Sequence, residues 1–193
     1  MIADPILIAL DVADALETCG LLYLVGGSLS SSLSGEPRST LDIDLVVAMS
    51  EKDVEPLVAA LGHGFYVEPE ALRRAIQKRS SANLIHFASS MKVDIFVAGG
   101  TPLDREQLER RQRVLVATDP DRWLHFYAAE DILLQKLRWY RLGDEVSDRQ
   151  WKDILGIIHV QADRIDLNLL HEGARILAVT DLLERAIHQA KHR

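Results

Sequence analysis

The sequence predicts an α/β (α+β) fold in which a mixed β-sheet is flanked by helices and followed by a C-terminal helical part. Short apolar runs between turn residues are typical of buried strands, and amphipathic helical patterns separate them. From residue 129 onward only helical patterns remain. We therefore place an α/β domain at residues 1–128 and a helical region packed on it at residues 129–193. A chain of 193 residues that is 48% hydrophobic is long enough to bury such a core.

Local signals place the individual elements. Asp4 as N-cap and Pro5 at the first position begin a helix that Gly20 ends. Ser50 opens a capping-box pattern for another helix. The predicted strands are residues 21–25, 41–47, 65–67, 83–88, 92–97, 114–117 and 123–127, and further helices are predicted at 70–78, 103–111, 129–142, 148–160, 167–177 and 181–191.

A glycine turn and two aspartates carry the chemical signal. Gly26, Gly27 and Ser28 follow the first strand, where a helix N-terminus would offer N–H groups and a positive dipole end to phosphate. Asp42 and Asp44 lie two residues apart in the next strand, so their side chains share one face. Aspartate is disfavoured in strands and like charges repel, so the pair needs a cation. Mg²⁺ fits, because it is bound by few carboxylates together with substrate phosphates. The alternative is that the aspartates form structural ion pairs with arginines.

This pattern resembles the signature of the polymerase-beta nucleotidyltransferase superfamily: an apolar strand, Gly-Gly-Ser, about a dozen residues, and Asp-x-Asp. Thirteen residues separate Ser28 from Asp42. Together with Arg38, Thr40 and the run DIDLVV, the pattern most resembles the minimal, AbiEii-like branch, whose members occur in toxin–antitoxin and phage-defence pairs. The resemblance implies a nucleotidyltransferase fold and a third acid on a neighbouring strand. Asp94, inside an otherwise apolar strand, fits that position.

The resemblance also implies roles for these residues. Gly26, Gly27 and Ser28 would hold the triphosphate of an NTP through backbone N–H groups. Asp42 and Asp44 would bind two Mg²⁺ ions, as in other two-metal sites. Asp94 would bind the ion at the attacking oxygen and accept its proton.

The C-terminal part resembles the helical half of bacterial nucleotidyltransferase-like proteins. That resemblance implies that Lys136 reaches the nucleotide phosphates and that Asp153 lies near the site. The residues leave alternatives open. Lys136 can instead snorkel from an apolar face to water, Asp153 can pair with Arg149 one helical turn earlier, and Arg38 contacts either phosphate or solvent.

Composition narrows the class of protein. A net charge of −7 argues against broad nonspecific DNA binding, which depends on neutralising phosphates. A single cysteine, Cys19, cannot form an internal disulfide and fits a reducing cytoplasm. The N-terminus has no basic region typical of a signal peptide, and no run approaches the ~20 apolar residues of a membrane span. We expect a cytoplasmic protein with no membrane partner; the sequence does not indicate its oligomeric state.

The sequence therefore predicts an Mg²⁺-dependent enzyme that transfers NMP from an NTP to an acceptor, either RNA or protein, in a toxin–antitoxin or defence context. One alternative is a non-catalytic module of the same fold that binds a nucleotide or a partner, as an antitoxin or sensor. The other is an antibiotic adenylyltransferase, which needs an acidic pocket for a polycationic substrate; Glu68, Glu70 and Asp131 are too scattered to indicate one.

Overall fold

Two compact units make up the computed structural model, which describes residues 4–37 and 39–191. The first unit contains residues 4–29 and Thr40–Phe126, and the second contains residues 30–37, Ser39 and residues 127–191. The segment that follows the glycine turn thus groups with the C-terminal helices. No helix of the described ranges combines the length and the apolar character that crossing a bilayer requires.

Helices and strands occur at all the places that the sequence patterns indicate. The strands are β1 Leu22–Val25, β2 Ile43–Ala48, β3 Phe65–Val67, β4 Ser81–His86, β5 Lys92–Val97, β6 Gln112–Ala117 and β7 Arg122–Phe126. The helices are α1 Pro5–Thr18, α2 Gly27–Ser34, α3 Val54–Leu61, α4 Pro69–Lys78, α5 Pro102–Glu109, α6 Ala129–Leu142, α7 Asp148–Gln161, α8 Leu167–Ile176 and α9 Thr180–Lys191.

The first unit is built on a seven-stranded sheet in the order β3-β4-β5-β2-β1-β7-β6. Parallel pairing joins β2 to β5 and β1 to β7, whereas the other neighbours are antiparallel. The prediction of a mixed α/β sheet is therefore confirmed. Strand β2 lies between β1 and β5. The side chains of β2 are therefore flanked by the glycine turn after β1 on one side and by β5, which carries Asp94, on the other.

The strands near β2 have one buried and one more open face. Alternate residues of β2 and β5 are buried: Ile43, Leu45, Val47, Val93, Ile95 and Val97. They share a core with Leu16 of α1, Leu57 of α3 and Leu72 of α4. Burying these apolar side chains is the main stabilising term for this layer. The intervening residues, Asp44 and Asp94 among them, point to the opposite face of the sheet.

Strand β2 begins later than the sequence predicts. The run 41–47 indicated that Asp42 lies within the strand, but β2 begins at Ile43 and Asp42 is exposed. The reason is pairing: the first registered partner of β2 on β5 is Val93, opposite Ile43, and β1 ends at Val25, opposite Leu45. Asp42 is therefore at the mouth of the strand, where its charge is solvated.

The second unit is a helical layer formed by α6 to α9 and the end of α2. Its interior contains Leu133 and Leu137 of α6, Ile154 of α7 and Leu183 of α9, all fully buried. The side-chain amide of Gln161 donates to the carbonyl of Ser34 at 2.8 Å, which attaches the C-terminal end of α2 to α7 within this unit. The helical character predicted for this part of the chain is confirmed.

Candidate functional site

Two carboxylates lie next to each other on the open face of the sheet. Asp44 of β2 and Asp94 of β5 are registered partners in the parallel pair. Neighbouring strands are about 4.8 Å apart, and partner side chains leave the sheet on the same face. Both aspartates are half-buried. The register thus places a pair of acids in an environment where their charges are only partly screened by water.

The glycine turn is fitted against one of these acids. The N–H of Gly26 donates to the carbonyl of Asp44 at 2.8 Å. Gly27 has φ +51°, and a Cβ added there would overlap the Asp44 carboxylate. The turn therefore needs glycine at position 27 both for its left-handed backbone and for the space that Asp44 occupies. Sequence reasoning assigned both glycines to phosphate and did not detect this contact.

Helix α2 begins directly at this turn. Because the N–H of Gly26 is bonded to Asp44, an anion bound at this turn would meet the first turn of α2 rather than Gly26. Ser28 lies in that turn and is buried. The start of an eight-residue helix beside two carboxylates is suited to a phosphate that arrives together with a cation.

A local hydrogen bond fixes the backbone of Asp42 just before β2. Its N–H donates to the hydroxyl of Thr40 at 3.2 Å, a local turn in which a threonine side chain substitutes for a backbone acceptor. In the sequence, Thr40 stands only as part of the family pattern. In the structure it shapes the approach to the strand that carries Asp44.

Lys92 is a site residue that sequence reasoning missed. Its ammonium lies 2.9 Å from the Asp94 carboxylate. The hydrogen bond to Asp94 is the largest cause of a raised Lys92 pKa, and the negative charges of Asp94, Asp44 and Asp42 raise it further. One ammonium therefore experiences all three predicted acids. The signal was present in the sequence, because Lys92 precedes Asp94 by two residues and so shares its strand face.

The arrangement fits a metal that is shared with a substrate rather than one held by protein alone. Among the described residues, no three acids, histidines or cysteines are grouped so that they could hold a metal ion. Asp44 and Asp94 supply two hard oxygen donors side by side. Mg²⁺ is usually bound by one or two carboxylates and takes its remaining ligands from water and substrate phosphates. The donor set of the paired strands meets that requirement.

Lys136 and Asp153 form an ion pair in the second unit. The Lys136 ammonium lies 2.8 Å from the Asp153 carboxylate, and both side chains are less than 10% exposed. The hydroxyl of Ser31 lies 3.4 Å from the same carboxylate oxygen. Lys136 does not snorkel to water, since its side chain is buried. Its contact with a nucleotide phosphate stays a prediction, as does the place of Asp153 near that phosphate. Arg38 lies outside the described residues.

Comparison with solved structures identifies the fold. The chain is similar to the antibiotic-resistance factor ANT(2'')-Ia, with a TM-score of 0.51 and 17% identity over 99% of this chain and 100% of that one. It also matches a nucleotidyltransferase-like protein from Paracoccidioides brasiliensis, with a TM-score of 0.48 and 14% identity over 94% of this chain and 93% of the other. No family model matches the sequence, and no curated protein matches it. The likeness to ANT(2'')-Ia supports a nucleotidyltransferase-like fold, as the sequence resemblance implied.

A first prediction concerns the contact between Gly27 and Asp44. We expect Gly27→Ala to displace the Asp44 carboxylate and to abolish Mg²⁺-dependent nucleotide binding. The control is Gly20→Ala, because Gly20 has φ +67° but nothing within 4 Å of its added Cβ. In both variants, alanine in a left-handed backbone conformation should lower the free energy of unfolding by roughly 1–2 kcal/mol. Gly27→Ala has the additional cost of the overlap between the new Cβ and the Asp44 carboxylate. Urea unfolding and nucleotide titration of both proteins measure the difference. Equal effects of the two variants would show that the contact with Asp44 is unimportant.

A second prediction concerns Lys92 as the resident counter-charge of the acids. We expect Lys92→Met to lower the free energy of unfolding without metal by less than about 1 kcal/mol, because the pair is partly exposed. Mg²⁺ alone should then raise the melting temperature of Lys92→Met more than that of the original protein, since Asp94 has lost the ammonium that neutralises it. Lys52→Met, at an exposed lysine before α3, is the control. An unchanged response to Mg²⁺ in Lys92→Met would contradict this role.

A third prediction concerns the buried Lys136–Asp153 pair. Lys136→Met leaves a buried carboxylate without its ammonium and should cost about 3–5 kcal/mol of unfolding free energy. Lys136→Met with Asp153→Asn removes both charges and should recover most of that loss. Chemical denaturation of the two single variants and the double variant gives the coupling energy. A double variant no more stable than Lys136→Met would mean that the two charges do not stabilise each other.

Proposed function

We propose that this protein is a nucleotidyltransferase that moves NMP from an NTP to a hydroxyl acceptor. The observation that carries the proposal is the contact of the Gly26–Gly27 turn with Asp44, which has Asp94 as its registered neighbour on β5. A phosphate-binding helix start and a pair of carboxylates are the two elements that phosphoryl-type transfer needs, since catalysis there depends mainly on positioning and on charge stabilisation.

Each residue then has a role. The first turn of α2, with Ser28, would receive the triphosphate. Asp44 and Asp94 would hold Mg²⁺, and Asp42 would add negative charge from the mouth of the strand. Bound Mg²⁺ supplies charge neutralisation for the phosphates and for the attacking oxygen. The acceptor oxygen forms a bond to the α-phosphorus, the bond from that phosphorus to the bridging oxygen breaks, and pyrophosphate leaves. Asp94 takes the proton of the acceptor hydroxyl.

A module that binds nucleotide without turnover is the second candidate. Two observations favour it: Lys92 already neutralises Asp94, and the described acids do not form a ready metal group of three. The two candidates differ in one measurement. Incubation with labelled NTPs and Mg²⁺ produces labelled acceptor and free pyrophosphate only if the protein catalyses transfer.

Several finer predictions extend the proposal without being needed for it. Arg38 and Lys136 are predicted phosphate contacts, Asp153 is predicted to lie nearby, and a cytoplasmic location fits the single cysteine. A toxin–antitoxin or defence role follows only from the sequence resemblance. ANT(2'')-Ia, which has a similar fold, is an antibiotic-resistance factor, and at 17% identity that likeness supports the fold alone.

The prediction that tests the proposal uses Asp44. An NTP with Mg²⁺ should stabilise the original protein by about 2.7 kcal/mol at a ligand concentration 100 times its Kd. Asp44→Asn should lose the Mg²⁺-dependent part of this gain and any labelled product. Asp121→Asn, which removes the same charge from an exposed turn before β7, should keep both. Thermal unfolding with each of ATP, GTP, CTP and UTP measures the gain. The proposal fails if none of them acts, or if Asp44→Asn responds like the original protein.

A further inference from the structure

A pocket lies between the starts of β1 and β7. The registered pair of these two parallel strands, Val25 with Phe126, is at their ends. Toward their starts, residues of both strands line a cavity of about 310 Å³, and α1 and the chain around β6 complete its wall. This volume is at the lower end of the range for small-molecule sites. The glycine turn follows the end of β1, so the pocket is at the opposite end of that strand from the proposed nucleotide site.

Charged groups of both signs line this pocket. They are three arginines and three carboxylates: Arg111, Arg113, Arg122, Asp14, Glu17 and Asp121. The lining as a whole is therefore not basic, and the ligand that it suits depends on which of these charges are already paired.

Two of the three carboxylates are engaged within the protein. The Asp14 carboxylate accepts a hydrogen bond from Arg122 at 2.6 Å. The Glu17 carboxylate accepts one from the hydroxyl of Tyr23 at 3.2 Å. The third carboxylate, Asp121, is exposed in the turn before β7, where water and salt screen its charge. Asp14 thus also accounts for one of the three arginines.

The other two arginines have no carboxylate partner. Among the described residues, neither Arg111 nor Arg113 forms an ion pair. Arg111 donates to the carbonyl of Leu108 at 2.6 Å, and the Arg113 guanidinium lies 4.4 Å from the centre of the Trp123 ring. A guanidinium has five N–H donors, so these contacts leave donors of both arginines without a negatively charged acceptor.

The two unpaired guanidinium groups act on the same imidazole. Arg113 is the registered partner of His125. Burial lowers the pKa of His125 most, and the charges of Arg111 and Arg113 lower it further against the opposing effect of Glu17. Nδ1 of His125 and Nε of Arg111 are buried and have no hydrogen-bond partner among the described residues. Buried polar groups are rarely left unpaired, and a bound ion is one of the few explanations for such a wall.

The rest of the lining indicates the kind of anion. Leu21, Leu22 and Trp123 supply apolar surface beside the two unpaired arginines, which suits a ligand with an apolar body. A nucleic acid is disfavoured, because its further phosphates would meet the three carboxylates of the lining in a chain of net charge −7. A cation is disfavoured by the unpaired arginines themselves.

We propose that this pocket binds a small organic anion, a carboxylate or a phosphate monoester on an apolar body. Its charged end lies between Arg111 and Arg113, and its body lies against Trp123. This binding needs no nucleotide transfer, so the inference is independent of the proposed function.

The test uses small molecules with matched bodies. Benzoate and phenyl phosphate carry a negative charge on a phenyl ring, benzylamine carries a positive charge, and inorganic phosphate has no apolar body. Isothermal titration calorimetry without Mg²⁺ or nucleotide measures the Kd of each. We expect benzoate or phenyl phosphate to bind with a Kd of about 1 mM or lower, and the tighter of the two identifies the preferred charged group. Inorganic phosphate should bind more weakly, and benzylamine should not bind.

Variants of the lining test the charge argument in both directions. Arg113→Gln removes one unpaired cation and should weaken binding at least about tenfold, because hydrogen bonds between charged groups are among the strongest. Asp14→Asn removes a carboxylate and releases Arg122, so it should strengthen binding; the broken pair is partly exposed and contributes little to stability. Arg74→Gln, which removes an exposed arginine from α4, is the control and should bind like the original protein.

Melting temperatures without ligand establish that each variant is folded. Because Asp14→Asn is expected to gain affinity, it decides the matter even if Arg113→Gln does not fold. Preference for benzylamine, equal affinities of the original protein and both lining variants, or no binding of any of the four compounds would overturn the inference. Asp44→Asn should bind the anions as the original protein does. Loss of anion binding in Asp44→Asn would place these anions at the proposed nucleotide site and would overturn the inference without affecting the proposed function.

Discussion

The close fit of Asp44 against the glycine turn is the constraint on which the candidate site depends. The backbone carbonyl of Asp44 accepts the N–H of Gly26, and its carboxylate fills the space that a side chain at position 27 would need. Both contacts require β2 to pair with β1 in the observed register. The separate pairing of β2 with β5 places the second acid, Asp94, beside Asp44. A shift of β2 by one residue would turn Asp44 toward the apolar core, which is why the buried alternation of this strand specifies the site.

Charge explains why the site tolerates two neighbouring acids. Asp44 and Asp94 on adjacent strands repel each other, and Lys92 offsets part of that repulsion from the same face. A partly exposed lysine is a weak partner, because its ion pair contributes at most about 1 kcal/mol. Such a partner can give way to a divalent ion that arrives with phosphate. The Lys92 pKa is raised first by the hydrogen bond to Asp94 and then by the charges of Asp94, Asp44 and Asp42. The same concentration of carboxylates on this face of the sheet underlies the proposed metal binding.

Much of the fold was predictable because its signals are local. The patterns of residues 41–47 and 92–97 predicted strands that the structure has, although β2 begins only at Ile43. Asp4, Pro5 and Ser50 likewise predicted helix starts that the structure has. What the sequence did not reveal depends on pairing between distant segments. The register that puts Asp94 beside Asp44, the entry of β2 after Asp42, and the Gly27 contact all arise from strands separated by tens of residues. Lys92 is the exception, since its position two residues before Asp94 places both side chains on one strand face from the sequence alone.

Two lysine–aspartate pairs of this chain, Lys92–Asp94 and Lys136–Asp153, differ in burial and therefore in the free energy needed to separate them. The Lys92–Asp94 pair is partly exposed and inexpensive to separate, whereas the Lys136–Asp153 pair is buried on both sides. Separating a buried pair leaves uncompensated charge and costs several kcal/mol, and replacing it by apolar residues is often neutral or stabilising. Stability alone therefore does not explain why a helical core retains Lys136.

The Lys136 ammonium has three N–H donors, and one of them bonds Asp153. If Lys136 contacts a phosphate as predicted, it must do so with Asp153 still attached. Asp153 would then orient the lysine instead of competing with the ligand, and Asp153→Asn should weaken nucleotide binding less than Lys136→Met does.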